Sequence, residues 1–368
     1  MKRPFNGGPR RQRGIALIIA MILVVLATIL ASKLTFDGFL EQRRTVGVLA
    51  AEQALQFGFG AEALAADVLV QDAQTGGPTT LAGPWAQATP PLPISPQNDA
   101  EGEPIGTLQG SLEDMEGRFN LNNLAHMISP AAAGTAGGTN ALAASTLGGQ
   151  TTPGVPGVPG AGTMVQDPQP LAQFRRLLIS VGLEPKWAAL ARDWIDADSD
   201  VTQPDGAEDS IYTSQNPPYR ASNWPMTSPS ELMNLPGFGW DRYRKIAPYV
   251  TALPLSNSKI NICTAQPLVL ESFADNLAGE WSGNPAQMAN ARKAGCFPDP
   301  QTFQSILTSQ GGASAATADI AQRIESNTPS SYFLLTTRVT LGTTEFTLYS
   351  LLNRSSKITP LLRSFGSY

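Results

Sequence analysis

Arg13-Gly14-Ile15-Ala16-Leu17-Ile18-Ile19-Ala20-Met21-Ile22-Leu23-Val24-Val25-Leu26-Ala27-Thr28-Ile29-Leu30-Ala31 joins a basic leader to an apolar helix. Residues 1–14 carry Lys2, Arg3, Arg10, Arg11 and Arg13 and no acid, and residues 15–31 carry no charge. At 1.5 Å per residue the uncharged run spans about 26 Å, within the working range for a membrane helix. The basic flank is expected to stay cytoplasmic and the remainder to face the periplasm. A secretory signal cut after its apolar run would show an A-x-A-like site there. Ala27 and Ala31 match that only loosely, and Lys33 follows at once.

The rest of the composition narrows the class. The chain has 368 residues, 25 Lys+Arg against 30 Asp+Glu, and a net charge of -5, which disfavours general attraction to nucleic acid phosphates. His126 is the single histidine, so His-rich metal sites are excluded and any Ser/His or Cys/His catalytic pair would depend on that one residue. No nucleophile motif surrounds it, and catalysis has no support. Glycine (34) and proline (30) are abundant while charged residues are only 15%, which points to an exported protein with long polar loops.

A basic leader ending in Gly14 directly before Ile15 resembles a type III (prepilin) signal, cut on the cytoplasmic side so that the hydrophobic stretch is retained; the same residues also suit a plain signal anchor. Further blocks are Asp114-Met115-Glu116-Gly117-Arg118-Phe119-Asn120-Leu121-Asn122-Asn123-Leu124, Asp193-Trp194-Ile195-Asp196-Ala197-Asp198, Gly206-Ala207-Glu208-Asp209 and Pro217-Pro218-Tyr219-Arg220. Together they resemble the type II secretion system minor pseudopilin K family over most of the chain. Ile260-Asn261-Ile262-Cys263-Thr264-Ala265 departs slightly from the family pattern, which has Asn-Thr-Ala after Ile-Asn.

That resemblance implies an α+β, pilin-like fold, a long N-terminal helix on a small antiparallel sheet, carrying a large inserted α-helical domain. It implies cleavage after Gly14 by prepilin peptidase and N-methylation of Ile15. It also implies a non-enzymatic subunit at the tip of a periplasmic pseudopilus, anchored by a single pass in the bacterial inner membrane. Its partners would be the I- and J-type minor pseudopilins, the major pseudopilin and the inner-membrane secretion platform, with no nucleic acid. Most pilin-like subunits carry glutamate at the fifth mature position, where it compensates the N-terminal amine of a neighbour; here that position is Ile19. A subunit with nothing above it has no such amine to neutralise.

The expected layout is a leader over 1–14, membrane helix over 15–31, its periplasmic continuation over 32–70, and a first pilin-like segment over 71–128. Residues 73–104 read as loop and 105–121 as a first strand and turn. A Gly/Pro/Ala-rich insertion should follow over 129–166, then an α-domain over 167–329 and terminal strands over 330–368. Within the α-domain, Leu171, Phe174, Leu177 and Leu178 share one helical face, as do Trp187, Leu190, Ala191 and Trp194. From Tyr332 the period shortens, giving a meander with a turn near Gly342 and a last strand over 358–365.

The chemistry-bearing candidate is the acidic loop from Asp193 to Asp209. Asp196, Asp198 and Asp200 alternate, and Glu208 and Asp209 close the stretch. Such carboxylates repel unless solvated or shared with a hard cation such as Ca²⁺, which takes six to eight oxygens. The spacing is not that of an EF-hand, since Val201 and Ala207 occupy its Gly and Glu positions. A solvated acidic turn is the alternative; the family resemblance implies calcium bound by Asp196, Asp198, Asp200, Glu208 and Asp209. Leu235-Pro236-Gly237-Phe238-Gly239 with Arg242, Arg244 and Lys245 resembles a helix-hairpin-helix turn, which keeps a pilin-like DNA-uptake protein as the rival reading. Cys263 and Cys296 are the only cysteines, and an oxidising compartment favours one disulfide between them.

Overall fold

The computed structural model describes residues 13–87, 89–95, 103–128, 165–274, 288, 290–292, 295–309 and 317–365. The leader through Gln12 and residues 129–164 of the expected insertion lie outside them, while Val165 and Gln166, expected within that insertion, form a strand.

Helix α1 runs Arg13–Thr75, 63 residues and about 95 Å. It passes the expected end at residue 70 because nothing breaks it before Gly76 and Gly77, whose φ of 71° and 97° turn the chain out of the helix. Among the described residues it is the one helix long and apolar enough to cross a membrane, with a mean hydropathy of 3.0 over its best window. Its side chains from Ile15 to Leu49 are exposed. The second half buries Ala54, Gly58, Ala61, Ala65 and Leu69, a stripe that repeats every three to four residues. Gly58 suits that stripe: a Cβ there would lie 3.1 Å from Leu348 Cδ2, so its absence lets helix and sheet approach closely.

The stripe packs on a five-stranded antiparallel sheet whose strands, from edge to edge, are Leu92–Ile94, Gly106–Asp114, Tyr332–Leu341, Thr344–Arg354 and Ile358–Phe365. Its first members are β1 (Leu92–Ile94) and β2 (Gly106–Asp114). The short strand β1, in a segment expected to be loop, pairs with β2 through Leu92↔Leu108 and Ile94↔Gly106. Four two-residue strands follow in other sheets: β3 (Phe119–Asn120), β4 (Met127–Ile128), β5 (Val165–Gln166) and, further on, β6 (Val250–Thr251).

Between β5 and β6 the chain is helical: α2 (Pro168–Ser180), α3 (Trp187–Ile195), the single turn α4 (Asp209–Tyr212) and α5 (Gly239–Ile246). After strand β7 (Ile260–Asn261) come α6 (Pro267–Glu271), α7 (Pro300–Ser309) and α8 (Thr317–Arg323), and then β8 (Ile324–Glu325). The chain returns to the pilin sheet in β9 (Tyr332–Leu341), turns at Gly342 into β10 (Thr344–Arg354), and ends in β11 (Ile358–Phe365). Gly342 sits at φ 55°, the left-handed region a tight turn requires.

Two sets of cores result. The α-domain centres on Phe174, Leu177, Trp187, Trp194, Phe238 and Phe273. Phe119 and Leu121, reached by the chain just after β2, belong to that core, with Phe119 stacked on Phe174 at 5.2 Å. In the pilin body, Phe333 and Leu335 pack with Leu69 and Trp85 under α1, whereas Tyr332 and Leu334 pack with Met115 and Leu253 on the opposite face. Both faces of β9 are therefore covered at its start, which explains the unbroken apolar run there.

Candidate metal centre

The acidic site forms where α3 ends. Asp193 lies in its last turn, and Asp196 follows directly, with its N–H bonded to the Arg192 carbonyl at 3.0 Å. A spacing of three residues at a helix end brings both carboxylates to one side. The loop then turns back around Asp193, whose carboxylate accepts the Thr202 N–H at 3.1 Å and is bonded by the Ala207 backbone as well. Gly206 completes the turn by donating to the Thr202 carbonyl at 2.7 Å. A Cβ on Gly206 would collide with Asp193 Oδ2 and lie 2.6 Å from the Thr202 backbone, so this position has no room for a side chain.

The return brings Glu208 against the helix end. One carboxylate oxygen from each of Asp193, Asp196 and Glu208 lies within 4.8 Å of the others, and all three residues are buried. Burial raises each of their pKa values; with the repulsion of neighbouring carboxylates added, Asp196 reaches about 6 and Glu208 about 7. Asp196 Oδ2 accepts from Gln166 Nε2 at 2.8 Å. Asp196 Oδ1 and Glu208 Oε1 are buried with no hydrogen-bond partner among the described residues. Buried carboxylate oxygens left in this state are costly. A hard cation relieves the repulsion and satisfies both oxygens at once, so the donor set fits Ca²⁺.

The other expected ligands lie apart. Asp198 is exposed and closes a local turn by accepting the Asp200 N–H at 2.9 Å, though its charge still acts on Asp196 and Glu208. Asp200 is exposed. Asp209 accepts the Ala221 N–H at 3.0 Å and lies 3.7 Å from Arg220. Asp193, which the alternating pattern left out of the ligand set, takes the central place. An aromatic wall backs the site: Trp194 meets Tyr212 edge-on at 5.3 Å, and Tyr212 meets Tyr219 at 5.5 Å.

The remaining candidates are also placed. Cys263 and Cys296 are joined in a disulfide across 33 residues. Gly14 and Ile15 lie in the first turn of α1. In the Leu235–Gly239 turn, Leu235 and Phe238 are buried and Phe238 packs edge-on against Trp187 at 5.1 Å. Arg242 is taken up by that turn, donating to the Gly237 and Phe238 carbonyls at 2.8 and 3.0 Å. The segment before it, Pro229–Asn234, is a short 3-10 turn closed by a Ser228/Glu231 capping box. These contacts use the turn as internal packing.

A long amphipathic helix on an antiparallel meander, with a helical domain inserted between two neighbouring strands, defines a pilin-like protein. Residues 117–255 match the family described as Type II secretion system (T2SS), protein K. The chain is 30% identical to type II secretion system protein K of Pectobacterium carotovorum subsp. carotovorum, over 97% of this chain and 98% of that protein. It is 28% identical to the Pseudomonas aeruginosa protein K over 97% and 94%, and 31% identical to that of Aeromonas hydrophila over 70% and 69%. The fold is shared with the solved GspK–GspI–GspJ complex of the enterotoxigenic Escherichia coli type 2 secretion system, with a TM-score of 0.67 at 23% identity, over 88% of this chain and 100% of that one. The chain belongs to the type II secretion system protein K family.

Proposed function

We propose that this chain is the minor pseudopilin that caps the secretion pseudopilus, assembling with I- and J-type minor pseudopilins and supporting export of folded proteins across the outer membrane. The observation that carries this reading is the α-domain itself, with a hydrophobic core larger than that of the pilin-like body, inserted between the neighbouring antiparallel strands β2 and β9. Such a bulk limits addition of a further subunit above it. Ile19 supports the same place, because a tip subunit meets no incoming amine. In this reading prepilin peptidase cuts after Gly14, Ile15 becomes the methylated N-terminus, and residues 15–31 anchor the chain in the inner membrane with its bulk in the periplasm. The major pseudopilin and the inner-membrane platform complete the assembly.

The α-domain would hold calcium through Asp193, Asp196 and Glu208. When bound, the ion supplies positive charge that ties the end of α3 to the returning loop. The direct test is affinity purification of the tagged full chain from detergent-solubilised membranes of cells producing all the pseudopilins. Stoichiometric recovery of the I- and J-type subunits is expected. Recovery of the chain alone, or secretion that continues after its deletion, would overturn the proposal.

A further inference from the structure

The insertion from 129 to 164 is closed at its base by a ladder of two pairs, Met127↔Gln166 and Ile128↔Val165. A pairing this short does not hold itself together in water. It is also poorly shielded, since Met127 and Val165 are 42% and 38% exposed. Its stability must come from ties to the α-domain. Two are backbone-anchored: Asp167 N donates to the His126 carbonyl at 2.8 Å, and Arg192 donates to the Asp167 carbonyl at 2.7 Å. The third is Gln166 Nε2 on Asp196 Oδ2 at 2.8 Å, which joins the ladder directly to the acidic site.

That third tie has a property the others lack. The far end of the glutamine amide is an acceptor, and turning the group by half a revolution replaces N–H₂ with C=O while leaving its shape almost unchanged. A carbonyl oxygen of Gln is an ordinary calcium ligand. The site already presents buried oxygens without partners, on Asp196, 4% exposed, and Glu208, 6% exposed. We infer that Gln166 is a switching ligand: its amide donates to Asp196 in this structure and would turn Oε1 toward a cation held by Asp193, Asp196 and Glu208. Occupancy of the site then fastens the strand pair that closes the insertion. The inference rests on the calcium reading of Asp193, Asp196 and Glu208.

The test uses the purified full chain in detergent, titrated with calcium chloride in a calorimeter, with hydrogen exchange followed on peptides covering Met127, Ile128, Val165 and Gln166. Calcium is expected to slow exchange in the wild type. Gln166→Ala should weaken binding about tenfold and abolish that slowing, while the melting curve of the cation-free variant confirms folding. Gln166→Glu separates the two roles. A glutamate keeps the ligand oxygen but loses the donor, so the variant should bind calcium at least as tightly as the wild type. Gln166→Ala with unchanged affinity and exchange, or Gln166→Glu binding more weakly than Gln166→Ala, would overturn the switching role. Loss of binding in Glu208→Gln alongside unchanged binding in Gln166→Ala sinks this inference alone, whereas a wild type that binds no calcium sinks the site and the switch together.

Discussion

Asp193 organises its loop by accepting backbone N–H groups, and the same carboxylate faces Asp196 and Glu208. Its substitution therefore removes both the fold of the loop and a ligand. Asp193→Asn is expected to weaken calcium binding by about 10–100-fold and to erase the rise in melting temperature on calcium addition, whereas Asp200→Ala should leave both within about twofold. Calorimetry and melting curves with and without chelator separate the two, and equal losses would restore the alternating set. The alternating pattern at 196, 198 and 200 was legible as acidic but not as geometry, because Asp198 and Asp200 bond to each other in an exposed turn. The signal available in the sequence was Asp193 and Asp196, three apart at a helix end, with Gly206 ahead of Glu208.

Glu271, elsewhere in the α-domain, gives a prediction in pH. Burial raises its carboxyl from about 4.5 to about 7, and its Oε1 has no hydrogen-bond partner among the described residues. The folded state thus holds a proton that the unfolded chain releases. The stabilisation is complete below the unfolded pKa and is lost as pH rises through about 7. Glu271→Gln should flatten the decline in melting temperature between pH 5 and 8 and stabilise the protein at pH 8 by on the order of 1–3 kcal/mol. Asp114 and Glu116, also raised by burial, leave a residual slope. A variant that melts lower than the wild type at pH 8 would contradict this account.

Among elements, α1 and β10 are joined by one buried cation. Arg354 donates to Asp72 at 2.8 Å, to the Ser330 carbonyl at 2.8 Å and to Thr79 Oγ1 at 2.7 Å, with its side chain 6% exposed. Arg354→Met keeps the volume but strands Asp72, and is expected to cost about 3–5 kcal/mol in chemical denaturation. A loss below about 1 kcal/mol would show that water replaces the guanidinium. The helices of the α-domain were readable because their apolar residues recur at 3.6, and Leu171, Phe174, Leu177 and Leu178 are all buried. Strand β1 was not, since three residues containing Pro93 between polar loops carry no period. The start of β9 lacks alternation for a different reason, being packed on both faces.

At the scale of the molecule, a cut after Gly14, as proposed, would fall in the first turn of α1 and leave the helix from Ile15 onward whole. Gly14→Val should leave an uncleaved precursor that fails to co-purify with other pseudopilins, because the peptidase needs a small residue before the cut. Sequencing the mature N-terminus decides it, and a start near Ala31 would overturn prepilin processing. The two parts of the chain are held in register by a polar cluster. Asn261 Nδ2 donates to Asp114 Oδ2 at 2.8 Å and to the Thr79 carbonyl at 3.0 Å, and Ser330 Oγ donates to the same Asp114 oxygen at 2.8 Å. Only the family blocks around Asp114 and Asn261 hinted at this cluster, because its members lie up to 251 residues apart.

The pairing of Asp114 with Phe333 has a consequence for how such a molecule could arise. The chain leaves the sheet on one strand and rejoins it on the adjacent one, about 5 Å away. To the sheet, the entire helical domain is a hairpin loop of unusual length. The strand order is that of an uninterrupted hairpin, and removing the domain would uncover Tyr332, Leu334 and Leu351 and leave Asp114 without Asn261. A graft at one loop can therefore enlarge a pilin-like subunit without altering its sheet, and the apolar face of β9 and β10 that the graft covers favours keeping it.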